Sequence, residues 1–184
     1  MVAMKRRANL LTDPYYFDTD CLSAFLWVRG ESLIAKLYPG RVILPAQVYD
    51  ELKKVPHLLA RVDNLKNSGD LSVESVMTGT AEAEDYCAMA ISPPPGGRWI
   101  GKGEAAAIAL AKNRGGILAS NNLKDVASYV TKFGLRHVTT GDIMLEALRA
   151  GLITRQEGDR LWLEMLKRKR KLPCATFSDY LNGT

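Results

Sequence analysis

Residues 15–26 read YYFDTDCLSAFL, an aromatic run followed by apolar positions at helical spacing. Residues 15–18 have the short, extended and aromatic character of a strand. The apolar positions within residues 22–26 then recur at three and four residues, as they do on one face of a helix. Asp20 is placed to cap that helix. The segment therefore predicts a strand that leads directly into a helix.

The same order of strand and helix recurs along the rest of the chain. Further strands are predicted at residues 41–44, 71–76, 117–119 and 136–138. Helices are predicted at residues 45–54, with Pro45 in the first helical position, at 56–67, 81–91 and 141–150, and around the apolar runs at 105–111 and 123–130. This alternation predicts an α/β fold, namely a doubly wound parallel sheet with helices on both faces.

The C-terminal part of the chain predicts one extra helix. Thr154-Arg155-Gln156-Glu157 is a capping-box sequence, and the predicted helix continues to a basic end at residues 167–171 and a short tail. We predict one domain over residues 1–153, with the helix and basic tail of residues 154–184 packed on it. The basic run has two interpretations, a solvated end that complements the helix dipole or a grip on RNA phosphates.

The strongest break in the chain is SPPPGG at residues 92–97, which predicts a surface loop within the domain. The segments on either side each lack the apolar residues needed to form a separate domain.

Composition narrows the class of protein. The chain has 184 residues, a net charge of +5 and a pI near 9.1, a basic excess that favours polyanionic partners. Three scattered cysteines and two histidines argue against a disulfide framework and against a zinc site, so a bound metal is expected to be a hard ion held by oxygen. No apolar run approaches the ~20 residues that span a bilayer, and residues 8–12 are too short for a signal peptide. We expect a cytoplasmic protein without membrane contact.

Acidic and amide side chains follow the predicted strands. Asp18 ends the first strand, and Asn122 comes soon after the strand at residues 117–119. Because the carboxyl ends of parallel strands meet at one edge of the sheet, these side chains are expected to lie close together. Glu51 and Glu104 lie beside apolar positions of their helices, where partial burial of several carboxylates calls for a cation. Mg²⁺ or Mn²⁺ suits such oxygen ligands.

Four segments, in order, resemble the motifs of PIN-domain nucleases. They are FDTDCLSA at residues 17–24, ILPAQVYDEL at 43–52, GEAAAIALA at 103–111 and LASNNLKD at 118–125. The resemblance extends over about residues 16–153 and implies a PIN-like fold with Mg²⁺- or Mn²⁺-dependent endoribonuclease activity on RNA. Many members are VapC-like toxins of toxin–antitoxin pairs, often dimeric, and others process RNA. An antitoxin partner and a homodimer are therefore also implied.

Carried over by position, the resemblance implies that Asp18, Glu51 and Glu104 are metal-binding, catalytic acids. Asn122 takes the fourth catalytic and metal-binding position, and Asp125 supports it together with Ser120. Asn122 departs from family members that have Asp there. An amide still offers an oxygen ligand, but it removes one negative charge, which leaves the number of metals open.

Each of these residues also has a plainer interpretation. Asp18 alone is typical of a helix cap, Glu51 and Glu104 of solvated helix positions, and Asn122 and Asp125 of turn and first-turn residues. An alternative function is a PIN-fold RNA-binding or regulatory protein with weak catalysis. A nucleotide-binding domain such as a small kinase is disfavoured because the chain lacks a GxxxxGK[ST] loop.

Overall fold

The computed structural model describes residues 12–93 and 99–183. At its centre lies a parallel sheet of five strands: β1 Tyr15–Phe17, β2 Val42–Pro45, β3 Leu71–Glu74, β4 Ile117–Ala119 and β5 Arg136–Val138. Their spatial order is β3-β2-β1-β4-β5, and each strand is parallel to its neighbours. The first strand of the sequence is therefore the middle strand of the sheet.

Helices connect the strands and follow the last one. They are α1 Thr19–Trp27, α2 Glu31–Leu37, α3 Ala46–Leu52, α4 Pro56–Asn67, α5 Ala81–Ala90, α6 Lys102–Arg114, α7 Leu123–Phe133, α8 Thr140–Arg149, α9 Arg155–Lys167 and α10 Phe177–Gly183. None of these helices has the length and apolar character needed to cross a membrane.

Neighbouring residues of the central strands face opposite sides of the sheet. Tyr16 belongs to an apolar cluster with residues of α5, α6 and α7. Tyr15 and Phe17 belong to the other cluster, to which α1 to α4 and α8 to α10 contribute. Since strand side chains alternate with a period of two, this division means that both faces are covered. The predicted doubly wound α/β fold is confirmed at this level.

The chain enters α1 differently from the sequence-based expectation. Asp18 comes after β1 rather than ending it, and its side chain caps α1 by accepting a hydrogen bond from the Cys21 amide. Asp20 lies in the first helical turn, so its predicted capping role was wrong. An aspartate three residues before the amide that donates to it has the geometry of a cap, which Asp20 lacks for this helix. Similarly, Pro45 is the residue before α3 rather than its first residue.

The C-terminal region corrects two further expectations. α9 has the predicted capping box from Thr154 and Glu157, but it ends at Lys167, so residues 168–171 lie beyond the helix. The predicted tail contains a further helix, α10, and α2 was likewise not predicted. Trp162, from α9, and Phe177, from α10, are fully buried in the same cluster as the sheet. Most of the predicted loop at residues 92–97 lies outside the described residues.

An ion-pair network holds the edge of the sheet to the helices of one face. The Arg114 guanidinium, at the end of α6, donates to Glu82 on α5 and to Glu74 on β3. Glu82 is buried, and the Arg114 guanidinium holds its pKa below the ordinary value. This stabilisation is therefore present above the ordinary glutamate pKa and is lost as the pH falls through the lowered one.

Arg114→Ala is expected to lower the free energy of unfolding by about 2–3 kcal/mol at pH 7, because the buried Glu82 carboxylate loses its cation. The measurement is urea unfolding followed by circular dichroism. Arg149→Ala, at the exposed C-terminal end of α8, is the matched control and is expected to change stability by less than ~0.5 kcal/mol. Equal losses in both variants would contradict the assignment.

Candidate metal and catalytic site

Asp18 lies at the carboxyl edge of the middle strand, in the turn that joins β1 to α1. Its side chain is fully buried. Oδ1 accepts a hydrogen bond from the Cys21 amide at 2.7 Å, whereas Oδ2 has no hydrogen-bond partner among the described residues. Burial raises the pKa of Asp18 to about 7, although the Ser120 hydroxyl and the Cys21 amide act to lower it. The charge of Glu104 contributes to the same rise.

The end of the neighbouring strand β4 is fixed by backbone and amide contacts. The Ser120 amide donates to the Val138 carbonyl at 3.0 Å, and Ser120 itself is fully buried. The Asn121 side chain accepts from the Thr140 amide and donates to its hydroxyl, both at 2.8 Å. Asn121 thus ties β4 to the start of α8, and this places Asn122, which follows it, over the edge of the sheet.

Asn122 brings two of the predicted acids together. Its Nδ2 donates to Glu104 Oε1 and to Asp125 Oδ2, both at 2.7 Å. The pKa of Glu104 is raised, mainly by burial. Hydrogen bonds from the Asn122 and Gly101 amides act to lower this pKa, whereas the charges of Asp125 and Asp20 act to raise it. A neutral donor therefore stands between two carboxylates that would otherwise repel each other. In this arrangement Asn122 directs its NH₂ group, rather than its oxygen, at the acids.

Glu51 reaches the same region from α3. Its carboxylate accepts from the Thr19 hydroxyl and, at 3.1 Å, from the Gly103 amide. A Cβ at residue 103 would lie 3.0 Å from Val48 Cγ2 and 3.1 Å from both Glu51 Oε1 and Thr19 Oγ1. Glycine at this position thus lets the first turn of α6 approach α3 and α1 closely.

Hydrogen bonds join three of the five predicted site residues directly. Glu104, Asn122 and Asp125 form one hydrogen-bonded group. Glu51 is bonded to Thr19 and Gly103, which are the sequence neighbours of Asp18 and Glu104. The hydrogen bonds thus join Glu104, Asn122 and Asp125, whereas Asp18 and Glu51 bond to other residues of α1 and α6. The roles of all five residues in metal binding and catalysis stay predictions.

The donor chemistry of this group suits a hard cation. No lysine, arginine or histidine within the described ranges forms an ion pair with Asp18, Glu51 or Glu104. Asp18 Oδ2 is a buried carboxylate oxygen without a hydrogen-bond partner among the described residues, and a divalent cation would satisfy it. Across residues 12–93 and 99–183, no three His, Cys, Asp or Glu side chains are already drawn together around one point. Binding would therefore require the Glu51 or Glu104 carboxylate to exchange a hydrogen bond for a metal contact.

Comparisons with protein-family models, with curated proteins and with solved structures found no match to this chain.

Sequence reasoning missed the residues that position the acids. Thr19 and Gly103 were quoted only as parts of motifs, although each bonds Glu51. The signal was present, because each is the immediate neighbour of a predicted acid and a glycine inside a helical turn calls for a packing reason. A cavity lined by Asp20, Asn121, Asn122 and the basic residues Lys169, Arg170 and Lys171 was not predicted either. It depends on where the chain turns after α9.

The pH dependence of stability provides a test of the burial of Asp18. A folded-state pKa of about 7, above the unfolded value of 3.8, means that the folded state keeps its proton longer. The free energy of unfolding of the metal-free protein is therefore expected to fall as the pH rises from about 4 to about 7, by up to about 4 kcal/mol from this group.

Urea unfolding in EDTA across this pH range measures the effect. Subtracting the curve of Asp18→Asn isolates it, because the other titrating groups are common to both proteins. A difference between the two proteins that does not change with pH would show that Asp18 is ionised without cost.

Proposed function

We propose that the chain is a Mg²⁺- or Mn²⁺-dependent endoribonuclease with a PIN-like fold, which hydrolyses phosphodiester bonds in RNA. The observation that carries the proposal is the Asp18 carboxylate, which is fully buried at the edge of the sheet with Oδ2 unpartnered. A carboxylate is retained in such a place at a cost in stability, which a bound cation offsets.

The residues present suggest a division of roles. Asp18, Glu51 and Glu104 would hold the metal, which would supply an activated water and offset charge on the phosphate in the transition state. Asn122 would orient Glu104 and Asp125 through its NH₂ group, since it donates to both at 2.7 Å. Thr19 and Gly103 would keep Glu51 directed at the site. No histidine base is needed in this scheme.

The partners follow from the same proposal. RNA is the polyanion that fits a net charge of +5 and the basic residues of the cavity beside Asn122. A role as the toxin of a toxin–antitoxin pair, with a protein antitoxin, a homodimeric state and a cytoplasmic location, belongs to the proposal through the PIN-family resemblance.

One observation favours a second candidate function. The Asn122 amide already satisfies Glu104 and Asp125 without a cation, so the fold is compatible with a metal-poor site. The second candidate is accordingly a PIN-fold RNA-binding or regulatory protein with weak hydrolysis.

Incubation of the purified protein with total RNA, with and without Mn²⁺, separates the two candidates. The enzyme is expected to generate new RNA ends only with metal, and mapping those ends identifies the cleaved positions. Calorimetric titration with Mn²⁺ provides the second measurement. RNA that stays intact, together with no metal binding at millimolar Mn²⁺, would favour the second candidate.

A further inference from the structure

The chain leaves α9 through a turn that gives the basic residues a fixed direction. The Lys169 amide donates to the Leu166 carbonyl at 2.8 Å, and the Arg170 amide donates to the Met165 carbonyl at 3.0 Å. These two bonds form a Schellman motif, in which Lys169 takes the left-handed position with φ of 58°. Glycine is favoured there, because the Cβ of any other residue lies too close to the following carbonyl oxygen in this conformation. A strained residue that presents a charge is a reason to look for a ligand.

The residues on either side of Lys169 are anchored to α1. The Arg170 guanidinium donates to the buried Ser23 hydroxyl at 3.3 Å, and its Nε donates to the Arg168 carbonyl at 3.1 Å. Arg168 lies over the Trp27 ring, 5.7 Å from the centroid. The basic segment, residues 168–171, is therefore held against α1, near the helix start that Asp18 caps.

Two positive charges of the basic segment remain available. Lys169 and Lys171 are exposed, and within the described part of the chain neither forms an ion pair with a carboxylate. Both line a cavity of about 180 Å³ that also includes Asn122 of the proposed catalytic site. Its lining contains a single carboxylate, Asp20, against three basic residues. This cavity has the size and charge to accept a phosphate group.

A second, apolar cavity adjoins the first one. It measures about 420 Å³, and Asn121 and Lys171 line both cavities. Its apolar walls come from Leu123, Leu172, Pro173 and Tyr180. Leu123 is 52% exposed at the start of α7, although it is a large apolar residue. The Tyr180 ring is held in place because its hydroxyl donates to Asp142 at 2.8 Å.

We propose that these two cavities form a nucleotide subsite for single-stranded RNA. Lys169 and Lys171 bind a backbone phosphate, and the adjoining base enters the apolar cavity between Leu123 and Tyr180. A nucleotide is an anion joined to a flat apolar ring, and the paired cavities offer both chemistries side by side. The inference rests on the proposed function, because RNA bound in this subsite would run past Asn122 toward the proposed metal-binding acids.

The test measures RNA binding without cleavage, by fluorescence anisotropy in EDTA. The probes are a single-stranded RNA of about eight nucleotides and an abasic strand of the same length. Lys169→Glu combined with Lys171→Glu is expected to weaken the binding of both probes and to reduce the slope of log affinity against log salt by about 0.7, the value for one lost phosphate contact on a single strand. Leu123→Ser is expected to weaken only the probe with bases, by about fivefold or more.

The matched control is Lys36→Glu combined with Arg149→Glu, which reverses two exposed charges at the C-terminal ends of α2 and α8. It is expected to retain the salt slope of the unmodified protein. The subsite would be overturned if the unmodified protein binds neither probe, if both charge-reversal pairs behave alike, or if Leu123→Ser weakens both probes equally.

The two proposals can fail separately. If the protein binds RNA in this way yet does not cleave it with Mn²⁺, the subsite is supported and the proposed hydrolase activity is refuted. If Mn²⁺-dependent cleavage occurs but substitution of Lys169 and Lys171 does not change RNA binding, the subsite is refuted and the proposed hydrolase activity is supported.

Discussion

Asp18→Asn is expected to reduce Mn²⁺-dependent RNA cleavage by at least about a hundredfold, because it removes a charge that would stabilise the metal and through it the transition state. The amide has nearly the same shape as the carboxylate, and its oxygen can still cap α1 by accepting the hydrogen bond from the Cys21 amide. Folding should therefore be retained. The measurement is the initial rate of cleavage of a labelled RNA at saturating Mn²⁺.

The same substitution should act in the opposite direction on stability. In the absence of metal at pH 8, the buried Asp18 carboxylate is ionised at a cost that the amide does not have. Asp18→Asn is thus expected to be at least as stable as the unmodified protein in EDTA and to gain less from added Mn²⁺. Loss of activity by misfolding would instead lower both properties together.

Asp70→Asn is the control, because Asp70 precedes β3 at the opposite end of the strands and accepts a bond from Ser68. It should leave cleavage unchanged. Full cleavage by Asp18→Asn would refute the assignment of the metal-binding acid.

Asn122→Asp is expected to lower the stability of the metal-free protein by about 2–3 kcal/mol at pH 8. The change replaces a donor by a negative acceptor at 2.7 Å from both Glu104 and Asp125. Lowering the pH should restore part of the lost stability, because a proton can then be shared among Glu104, Asp125 and the new carboxyl group at position 122. Added Mn²⁺ should restore more, because a fourth carboxylate near the site raises its affinity for a divalent cation.

Thermal unfolding with and without Mn²⁺ at two pH values measures these changes. Asn113→Asp is the matched control, because Asn113 also donates to a carboxylate, Asp85 at 2.7 Å. Asp85 is paired with Lys112 as well, and Asn113 is exposed, so little change is expected there. An Asn122→Asp protein as stable as this control, with no added response to Mn²⁺, would argue against a metal site at this edge.

Local patterns in the sequence were sufficient to predict the sheet. The short runs that became β1 and β4 are apolar or aromatic and are bounded by turn residues, so their limits are visible in the chain. The run that became β5, RHV, has one apolar residue and is marked mainly by the turn residue Gly134 before it. The rule that parallel strands end at one edge predicted Asn122 beside Asp18, and in the structure the Asn122 amide contacts Glu104 on α6. These predictions rested on local sequence patterns and on the pairing of strands, and they required no knowledge of side-chain contacts between distant segments.

What could not be predicted depends on contacts between distant residues. The Asn122 NH₂ group points at Glu104 and Asp125 because α6 and α7 pack together, and a lone asparagine gives no sign of its orientation. α10 is short and becomes helical while packed against α8 and α9, where Gly141 and Gly158 leave room for the Tyr180 and Phe177 rings. Its sequence alone has little helical preference, so tertiary packing decides its conformation.

The order of the strands also governs when any activity can begin during synthesis. β1 leaves the ribosome first, pairs with β2 soon afterwards, and must wait for β4 to cover its other edge. Asn122 and Asp125 follow β4 in the sequence. A nascent chain that stops short of them therefore contains Glu104 without the Asn122 amide that links it to Asp125. Under the proposed function, the protein would therefore be inactive toward RNA, including the RNA from which it is translated, until most of its length has been synthesised and folded.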